Sequence, residues 1–215
     1  RIIDYFIEGK KLKVLDLGCG EGFQSIYFHK NGHAVTCVDF SDHGILKHNK
    51  NLKKNFIQSD IIDYLESNTK LNFDLILLKN VLEHVVNPKY LLDLIKKNMH
   101  DKTLLYIDVP NDFSSYQDFL LSKGYTENNW YVPPEHLHYF QHNTLKNFLL
   151  ENDLEIISLQ SGLPIDIYLA NQTSNYFHDK AKGKAAHKAR CELTTFFSRQ
   201  LEEFITFRES MASLG

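Results

Sequence analysis

The 215-residue sequence predicts an α/β fold, three layers deep, with a mostly parallel sheet and a helical appendage at the carboxyl end. Two observations lead to this prediction. In the first half, short apolar runs alternate with amphipathic stretches, as they do in successive strand–helix–strand units. Beyond residue 111 this alternation gives way to helical and loop-like segments. The length fits one substantial domain with a modest addition.

Five strands are predicted in the first half, over residues 13–17, 34–38, 55–59, 73–78 and 103–109. The fourth is almost entirely apolar, as a central parallel strand covered on both faces should be. A helix over 23–31 ends at Gly32, Ser41 or Asp42 caps a second helix that runs to about residue 50, and Pro88 begins a third.

The second half is predicted to contain helices over 115–123 and 144–152, and a sixth strand over 154–159. Its aromatic, proline-bearing loop spans 128–142. A single long helix is expected over 185–211, with Leu193, Phe197, Leu201 and Phe204 in one apolar stripe. We therefore predict a domain over residues 1–165 and an appendage of the same domain over 166–215.

Composition narrows the class of protein. The net charge of −3 argues against binding nucleic acid through bulk positive charge. No apolar run approaches the roughly 18 residues of a membrane span, so no membrane partner is expected. The three cysteines favour a reducing, cytoplasmic location over a disulfide framework.

The most informative segment is LDLGCGEG at residues 15–22, which follows the first strand. Glycines at alternate positions allow a sharp turn and a close approach of a ligand to the backbone. A nicotinamide dehydrogenase is disfavoured, because its fingerprint has G-x-G-x-x-G spacing and the Asp16 carboxylate would repel a pyrophosphate. Asp39 and Asp60, at the next two strand ends, suit ribose hydroxyls and an adenine amino group, with Ile61 against the ring.

This constellation resembles the class I S-adenosylmethionine-dependent methyltransferases, over about residues 12–163. The resemblance implies a Rossmann-like sheet of order 3-2-1-4-5-(7)-6, with S-adenosylmethionine as cofactor. Since that fold has seven strands, we expect the chain to be an excerpt whose last strand lies beyond residue 215. The cofactor-binding residues implied or predicted are Asp16, Gly18, Cys19, Gly20, Gly22, Asp39, Phe40, Asp60, Ile61, Lys79 and Asn80.

Cys19 also allows an interpretation as a nucleophile or redox thiol. No second cysteine or activating group is near it in the sequence. We therefore expect a small residue that faces the sheet.

A base with a pKa near neutrality suits deprotonation of a methyl acceptor, which points to histidine. The segment at residues 135–140, EHLHYF, resembles one found in methyltransferases of nucleotide-linked sugars. That likeness implies His136 as general base and Glu135 as its neighbour. Pro133 stands where sugar C-methyltransferases have tyrosine, so O-methylation of a sugar hydroxyl is favoured. The predicted acceptor-binding residues are His84, Tyr131, His138 and Tyr139.

Several alternatives stay open at this stage. His136, His138 and His142 could instead ligate zinc, although no further ligand completes an obvious set, and we predict no metal. The acceptor could be a lipid, a quinone precursor or a protein side chain. A non-catalytic S-adenosylmethionine-binding subunit is the remaining alternative. The apolar stripe near the carboxyl end also fits a homodimer contact.

Overall fold

The structure, a computed structural model, describes residues 9–213 together with Ile3 and Phe6. Its contacts divide the chain into two compact units. The amino-terminal unit is Gly9–Pro110, and the carboxy-terminal unit begins at Asn111. The two units meet in the sequence at residues 110 and 111, which is earlier than the predicted boundary after residue 165. The predicted domain boundaries stay a prediction.

The amino-terminal unit is built on a five-stranded parallel sheet. Its strands are β1 (Lys13–Leu17), β2 (Ala34–Asp39), β3 (Phe56–Gln58), β4 (Leu75–Lys79) and β5 (Leu104–Asp108). They lie in the order β3-β2-β1-β4-β5, and every pairing is parallel. This confirms the predicted order for the first five strands. The chain winds outward from β1 in both directions, which opens a crevice at the carboxyl ends of the strands.

Helices connect these strands. They are α1 (Phe23–Lys30), α2 (His43–His48), α3 (Ile61–Ser67) and α4 (Pro88–Lys96), with a 3₁₀ helix at Lys50–Asn55 between α2 and β3. Leu75–Leu78 of β4 are all buried, as expected for a central strand with both faces covered. Helix α3 was not predicted. Its signal was Asp60, whose side chain caps the backbone N–H groups of Ile62 and Asp63.

The carboxy-terminal unit contains α5 (Ser115–Ser122), α6 (His142–Glu151), α7 (Gly183–Phe197) and α8 (Leu201–Ser213), with 3₁₀ turns at Ile165–Ala170 and Lys180–Lys182. The strand predicted over 154–159 is wrong, since this segment joins no ladder in the described structure. Ile157 is 62% exposed. An alternating pattern shows which side chains could share a face, but a strand also needs a neighbouring edge to pair with.

The single helix predicted over 185–211 is also wrong, because the chain turns at residues 198–200 between α7 and α8. The N–H of Gln200 donates to the Phe197 carbonyl in this turn. The turn allows the Phe197 ring to stack on Phe204 and Phe207, at centroid distances of 6.3 and 5.5 Å. Leu193 of the predicted stripe is exposed. Within the described residues, no helix has the length and apolar character needed to cross a bilayer.

Candidate functional site

A cleft of about 760 Å³ opens in the amino-terminal unit, where the carboxyl ends of the strands meet. Six predicted cofactor residues line it, together with His84, which was predicted to bind the acceptor. These six are Gly18, Asp39, Phe40, Asp60, Ile61 and Asn80. The remaining lining residues were not predicted from the sequence, and they are Ile62, Val81, Val85, Val86, Asn87 and Tyr90. Most of them lie in the turn that follows β4, where the sequence has neither the alternation of a strand nor the periodicity of a helix.

The glycine loop is closely packed on two sides. Gly18 has φ +69°, and a Cβ there would lie 2.5 Å from Cγ2 of Val81. Gly22 has φ +73°, and a Cβ there would lie 2.5 Å from Cδ1 of Ile45. Any side chain at either position would be both strained and obstructed. The backbone therefore forms the wall of the cleft at Gly18, as expected for a loop that a ligand approaches closely.

Asp39 fixes this loop to the end of β2. Its Oδ2 accepts the Gly20 N–H at 2.9 Å, and its Oδ1 accepts the Ser41 N–H at 3.0 Å. Each carboxylate oxygen has a second lone-pair direction, so Asp39 can also accept hydrogen bonds from a diol in the cleft. Asp39 lines the cleft, and its contact with a ribose stays a prediction.

The apolar side of the cleft carries Phe40, which is 78% exposed although it is a large aromatic residue. One oxygen of the Asp60 carboxylate caps α3, because Oδ1 accepts the Ile62 N–H at 2.7 Å. Its Oδ2 accepts no hydrogen bond from the described part of the chain, and this oxygen can receive an amino group. These side chains fit a nucleoside with a flat base.

Two predicted residues at the end of β4 behave differently. Asn80 lines the cleft with φ +52°, an unusual conformation for a residue other than glycine, and its N–H donates to the Asp108 carbonyl at 2.8 Å. Strained backbone of this kind is common at ligand sites. Lys79 instead pairs with the Asp108 carboxylate and does not line the cleft.

Asp16 lies behind the loop rather than on the cleft wall. It is 3% exposed, and its Oδ2 accepts the Ser25 hydroxyl at 2.6 Å. Burial, opposed by the hydrogen bond from Ser25 and assisted by the nearby Asp39 carboxylate, raises the pKa of Asp16 to about 6. A positively charged ligand would favour the ionised form of Asp16, so this carboxyl group suits a sulfonium or ammonium cofactor.

Cys19 was expected to be a small residue that faces the sheet, and it lies beside the end of β2, where its N–H donates to the Val38 carbonyl at 3.2 Å. Cys19 is partly exposed, whereas Cys37 of β2 is buried and its thiol donates to the Ser25 hydroxyl at 3.1 Å. The two cysteines are far apart in the sequence, and the pairing of β1 with β2 places them on neighbouring segments.

In the carboxy-terminal unit, the predicted base His136 faces a carboxylate that sequence analysis missed. Its Nδ1 lies 3.9 Å from Oδ2 of Asp112, and both side chains are largely buried. Burial raises the pKa of the Asp112 carboxyl group, against the lowering effect of His136. Glu135, the predicted neighbour, is exposed. Asp112 is too distant in sequence for adjacency to suggest it.

An aromatic cluster surrounds this pair. The Tyr139 ring lies 5.9 Å from the His136 ring and 5.4 Å from the Tyr131 ring, and Phe113 lies 5.5 Å from Tyr139. The Tyr139 hydroxyl accepts the Val132 N–H at 3.2 Å. Two predicted acceptor residues, Tyr131 and Tyr139, are thus brought together. His138 packs beside Phe140 instead, at 6.3 Å.

The zinc alternative required three histidines of one segment to converge. His142 begins α6, whereas His136 and His138 precede it. The described structure does not bring the ligating atoms of His136, His138 and His142 within 4.8 Å of one another as a set. These three side chains therefore do not form the tetrahedral site that the zinc alternative requires.

Comparisons with known proteins match this geometry. A family model described as a methyltransferase domain matches residues 1–159. A ubiquinone biosynthesis O-methyltransferase from Glaesserella parasuis serovar 5 is 31% identical, over 46% of this chain and 45% of the relative. The chain therefore spans about half the length of this curated relative.

Two solved structures share the fold. A SAM-dependent methyltransferase from Archaeoglobus fulgidus has 25% identity and a TM-score of 0.59, over 86% of this chain and 81% of that one. A 1,6-didemethyltoxoflavin-N1-methyltransferase from Burkholderia thailandensis, solved with bound S-adenosylhomocysteine, has 20% identity and a TM-score of 0.53 over 74% and 67%. The predicted fold class and cofactor are confirmed.

Proposed function

The chain belongs to the methyltransferase-domain family, and from this premise we propose that it transfers a methyl group from S-adenosylmethionine to a hydroxyl oxygen of a small polar acceptor. One observation supports the part of this proposal that concerns the acceptor. The Nδ1 atom of His136 lies 3.9 Å from Oδ2 of the buried Asp112 carboxylate. An imidazole beside a carboxylate is suited to accept and hold one proton.

S-adenosylmethionine, when bound, supplies a methyl group already activated on a sulfonium centre. The protein must then orient the acceptor and receive its proton. In our proposal the hydroxyl proton passes to His136, and Asp112 stabilises the imidazolium that results. Asp39, Asp60 and the glycine loop hold the nucleoside part, which fixes the direction of attack.

We propose a sugar hydroxyl, on a nucleotide-linked sugar or a polysaccharide, as the first acceptor class. The resemblance of residues 135–140 to sugar-modifying methyltransferases supports it. The rings of Phe113, Tyr131 and Tyr139 support it as well, because aromatic faces pack against the apolar face of a sugar ring.

A phenolic hydroxyl of a quinone precursor is the second candidate. The name of the Glaesserella parasuis relative favours it, and the same aromatic cluster can stack on a flat ring. A phenol is also more acidic than a sugar hydroxyl, so a weaker base is enough to remove its proton.

The deciding experiment is a panel assay of S-adenosylhomocysteine release with the full chain. The panel contains nucleotide-linked sugars, oligosaccharides and catechol-type phenols, with S-adenosylmethionine present throughout. Turnover with a sugar supports the first candidate, and turnover with phenols alone supports the second. Tight S-adenosylhomocysteine binding in calorimetry without turnover on any panel member would favour a non-catalytic binding subunit and contradict the proposal.

We also propose a cytoplasmic location and a homodimer. The sparse cysteines support the first. Exposed Leu193 and Phe196 on α7 support the second, since large apolar side chains on one helix commonly mark a contact. Light scattering on the full chain and on Phe196→Ser tests the dimer, which the substitution should dissociate. A monomeric parent protein would contradict it.

A further inference from the structure

Cys191 lies on the exposed face of α7, one helical turn after His187. Among the three cysteines, Cys191 is exposed, Cys19 is partly exposed and Cys37 is buried. Residues four apart on a helix are neighbours on one face. The Nε2 atom of His187 lies 3.5 Å from Sγ of Cys191, which is a hydrogen-bonding distance for sulfur. The methyl-transfer site described above uses neither residue.

Arg190 determines which nitrogen of His187 carries the hydrogen. A guanidinium group only donates, and one nitrogen of Arg190 lies 3.4 Å from Nδ1 of His187. Nδ1 is therefore the acceptor, and the hydrogen of the neutral imidazole is on Nε2. The Nε2–H group donates to the sulfur of Cys191, and such a bond is strongest when the sulfur is a thiolate.

A surface depression of about 340 Å³ opens beside this thiol, a volume in the lower range of small-ligand sites. The residues that line it are Lys188, Cys191, Glu192, Thr195, Phe196 and Arg199. Lys188 precedes Cys191 along the chain and Arg199 follows it, so a cation lies on each side of the thiol. Lys188 is 3.7 Å from Glu192, but their side chains are 75% and 68% exposed, so water weakens this pair and a charged ligand can replace it.

We propose that Cys191 is a covalent modification site for small anionic disulfides, the class to which glutathione disulfide belongs. Each glutathione carries two carboxylates and one ammonium group. The carboxylates match Lys188 and Arg199, and the ammonium group matches Glu192. These two cations start about 16 Å apart along the chain axis, and their long side chains can reach the ends of an extended tripeptide of about 10 Å. The modification is separate from methyl transfer.

The reaction is a thiol–disulfide exchange. The Cys191 thiolate attacks one sulfur of glutathione disulfide, so that a bond forms between Sγ and this sulfur while the bond between the two glutathione sulfurs breaks. The departing glutathione thiolate takes up a proton, which balances the proton that the Cys191 thiol gave to solvent. Cys191 is oxidised to a mixed disulfide, and one glutathione is reduced to its free thiol.

The Cys191–His187 pair does not suit a metal ion instead. Zinc binds a histidine nitrogen that carries no hydrogen, whereas Arg190 leaves the hydrogen on Nε2. The positive charges of Arg190 and Lys188 also oppose a cation here. Within the part of the chain that the structure describes, no third histidine, cysteine or carboxylate completes a ligand set with this pair.

The test incubates the full chain with glutathione disulfide, and peptide mass spectrometry then locates and times the adduct. One glutathione should attach to Cys191 and be removed by dithiothreitol. His187→Ala should slow this reaction by about tenfold, because the thiolate loses its hydrogen-bond donor. His29→Ala, at an exposed position of α1, should react at the rate of the parent protein.

A second comparison tests the charges of the depression. Lys188→Gln and Arg199→Gln should each slow the reaction by about threefold or more at low salt, and this difference should disappear in about 1 M salt. Their reaction with iodoacetamide, which is neutral, should change by less than about twofold. Lys146→Gln, at an exposed position of α6, is the matched control and should react normally.

A dimer contact through Phe196 would cover this face, so the reaction is also run on Phe196→Ser. An adduct on Cys191 in either protein, slowed by the substitutions above, supports the site. Three results would overturn the proposal: no adduct on Cys191 in either protein, an adduct mainly on Cys19, or equal rates in the parent protein and the charge variants. None of these measurements requires S-adenosylmethionine or an acceptor, so their outcome is separate from that of the turnover assay.

Discussion

Gly44 of α2 packs directly on the backbone of Gly20 in the glycine loop. A Cβ on Gly44 would lie 2.6 Å from the Gly20 carbonyl oxygen and 2.8 Å from its carbonyl carbon. No real Cβ tolerates such distances, and neither backbone atom can rotate away as a side chain can. The short helix α2 therefore packs against the glycine loop. The two backbones can approach this closely only because Gly44 has no side chain.

We predict that Gly44→Ala lowers the affinity for S-adenosylhomocysteine by about tenfold or more, equivalent to about 1.4 kcal/mol. Helix propensity alone predicts the opposite direction for stability, since alanine in a helix is favoured over glycine by about 1 kcal/mol. Calorimetry and thermal unfolding measure both effects. Gly162→Ala is the control, because a Cβ there meets nothing within 4 Å. A Gly44→Ala protein that is more stable and binds normally would refute the contact.

We predict that Asp39→Ala weakens S-adenosylhomocysteine binding by about tenfold to a hundredfold. The change removes the acceptors of the Gly20 and Ser41 N–H groups together with the predicted ribose contact. Asp42→Ala is a matched control, since that carboxylate makes no capping hydrogen bond to α2. Equal affinities of the two variants in calorimetry would remove Asp39 from the cofactor site.

Much of the amino-terminal unit follows from local sequence. Buried parallel strands are uniform apolar runs, and β1 and β4 were therefore predicted within one or two residues. The glycine loop and Asp39 were predicted because a turn after a strand and an acid at the next strand end are local features.

Contacts between distant segments could not be predicted in this way. Gly44 resembles any helical glycine until α2 packs on the loop, and Asp112 resembles any loop aspartate until its backbone N–H bonds the Phe140 carbonyl at 3.0 Å. The helix break at residues 198–200 contains no proline or glycine, so the local sequence does not predict it. It is accompanied by aromatic stacking between α7 and α8, which is a contact between separate segments.

The raised pKa of Asp16 makes a prediction for stability. The pKa of Asp16 is about 6 in the folded protein and 3.8, the ordinary value of an aspartate, in the unfolded chain, so the folded state binds more protons between these two pH values. Its contribution is fully present below pH 3.8 and is lost as pH rises through 6. From pH 5 to 7.5, Asp16 should therefore reduce the free energy of unfolding by about 1 kcal/mol.

Asp16→Asn, which can still accept from Ser25, should abolish this part of the pH dependence and should also weaken S-adenosylmethionine binding at pH 7.5. Urea unfolding of both proteins at the two pH values measures the stability difference. The idea fails if the pH dependence of the variant matches that of the parent protein.

The His136–Asp112 pair gives the last prediction, measured with the acceptor that the panel assay identifies. His136→Gln should lower kcat by about a hundredfold or more, since a positioned base commonly contributes that much. Asp112→Asn should lower kcat by a smaller factor, about tenfold, because the base remains but loses the carboxylate that stabilises its charged form. Both variants should bind S-adenosylhomocysteine within about twofold of the parent protein, and His29→Gln, at an exposed position of α1, should retain full activity. An unchanged kcat in His136→Gln would exclude His136 as the base, whereas a matched loss of cofactor affinity would indicate a structural defect in place of lost proton transfer.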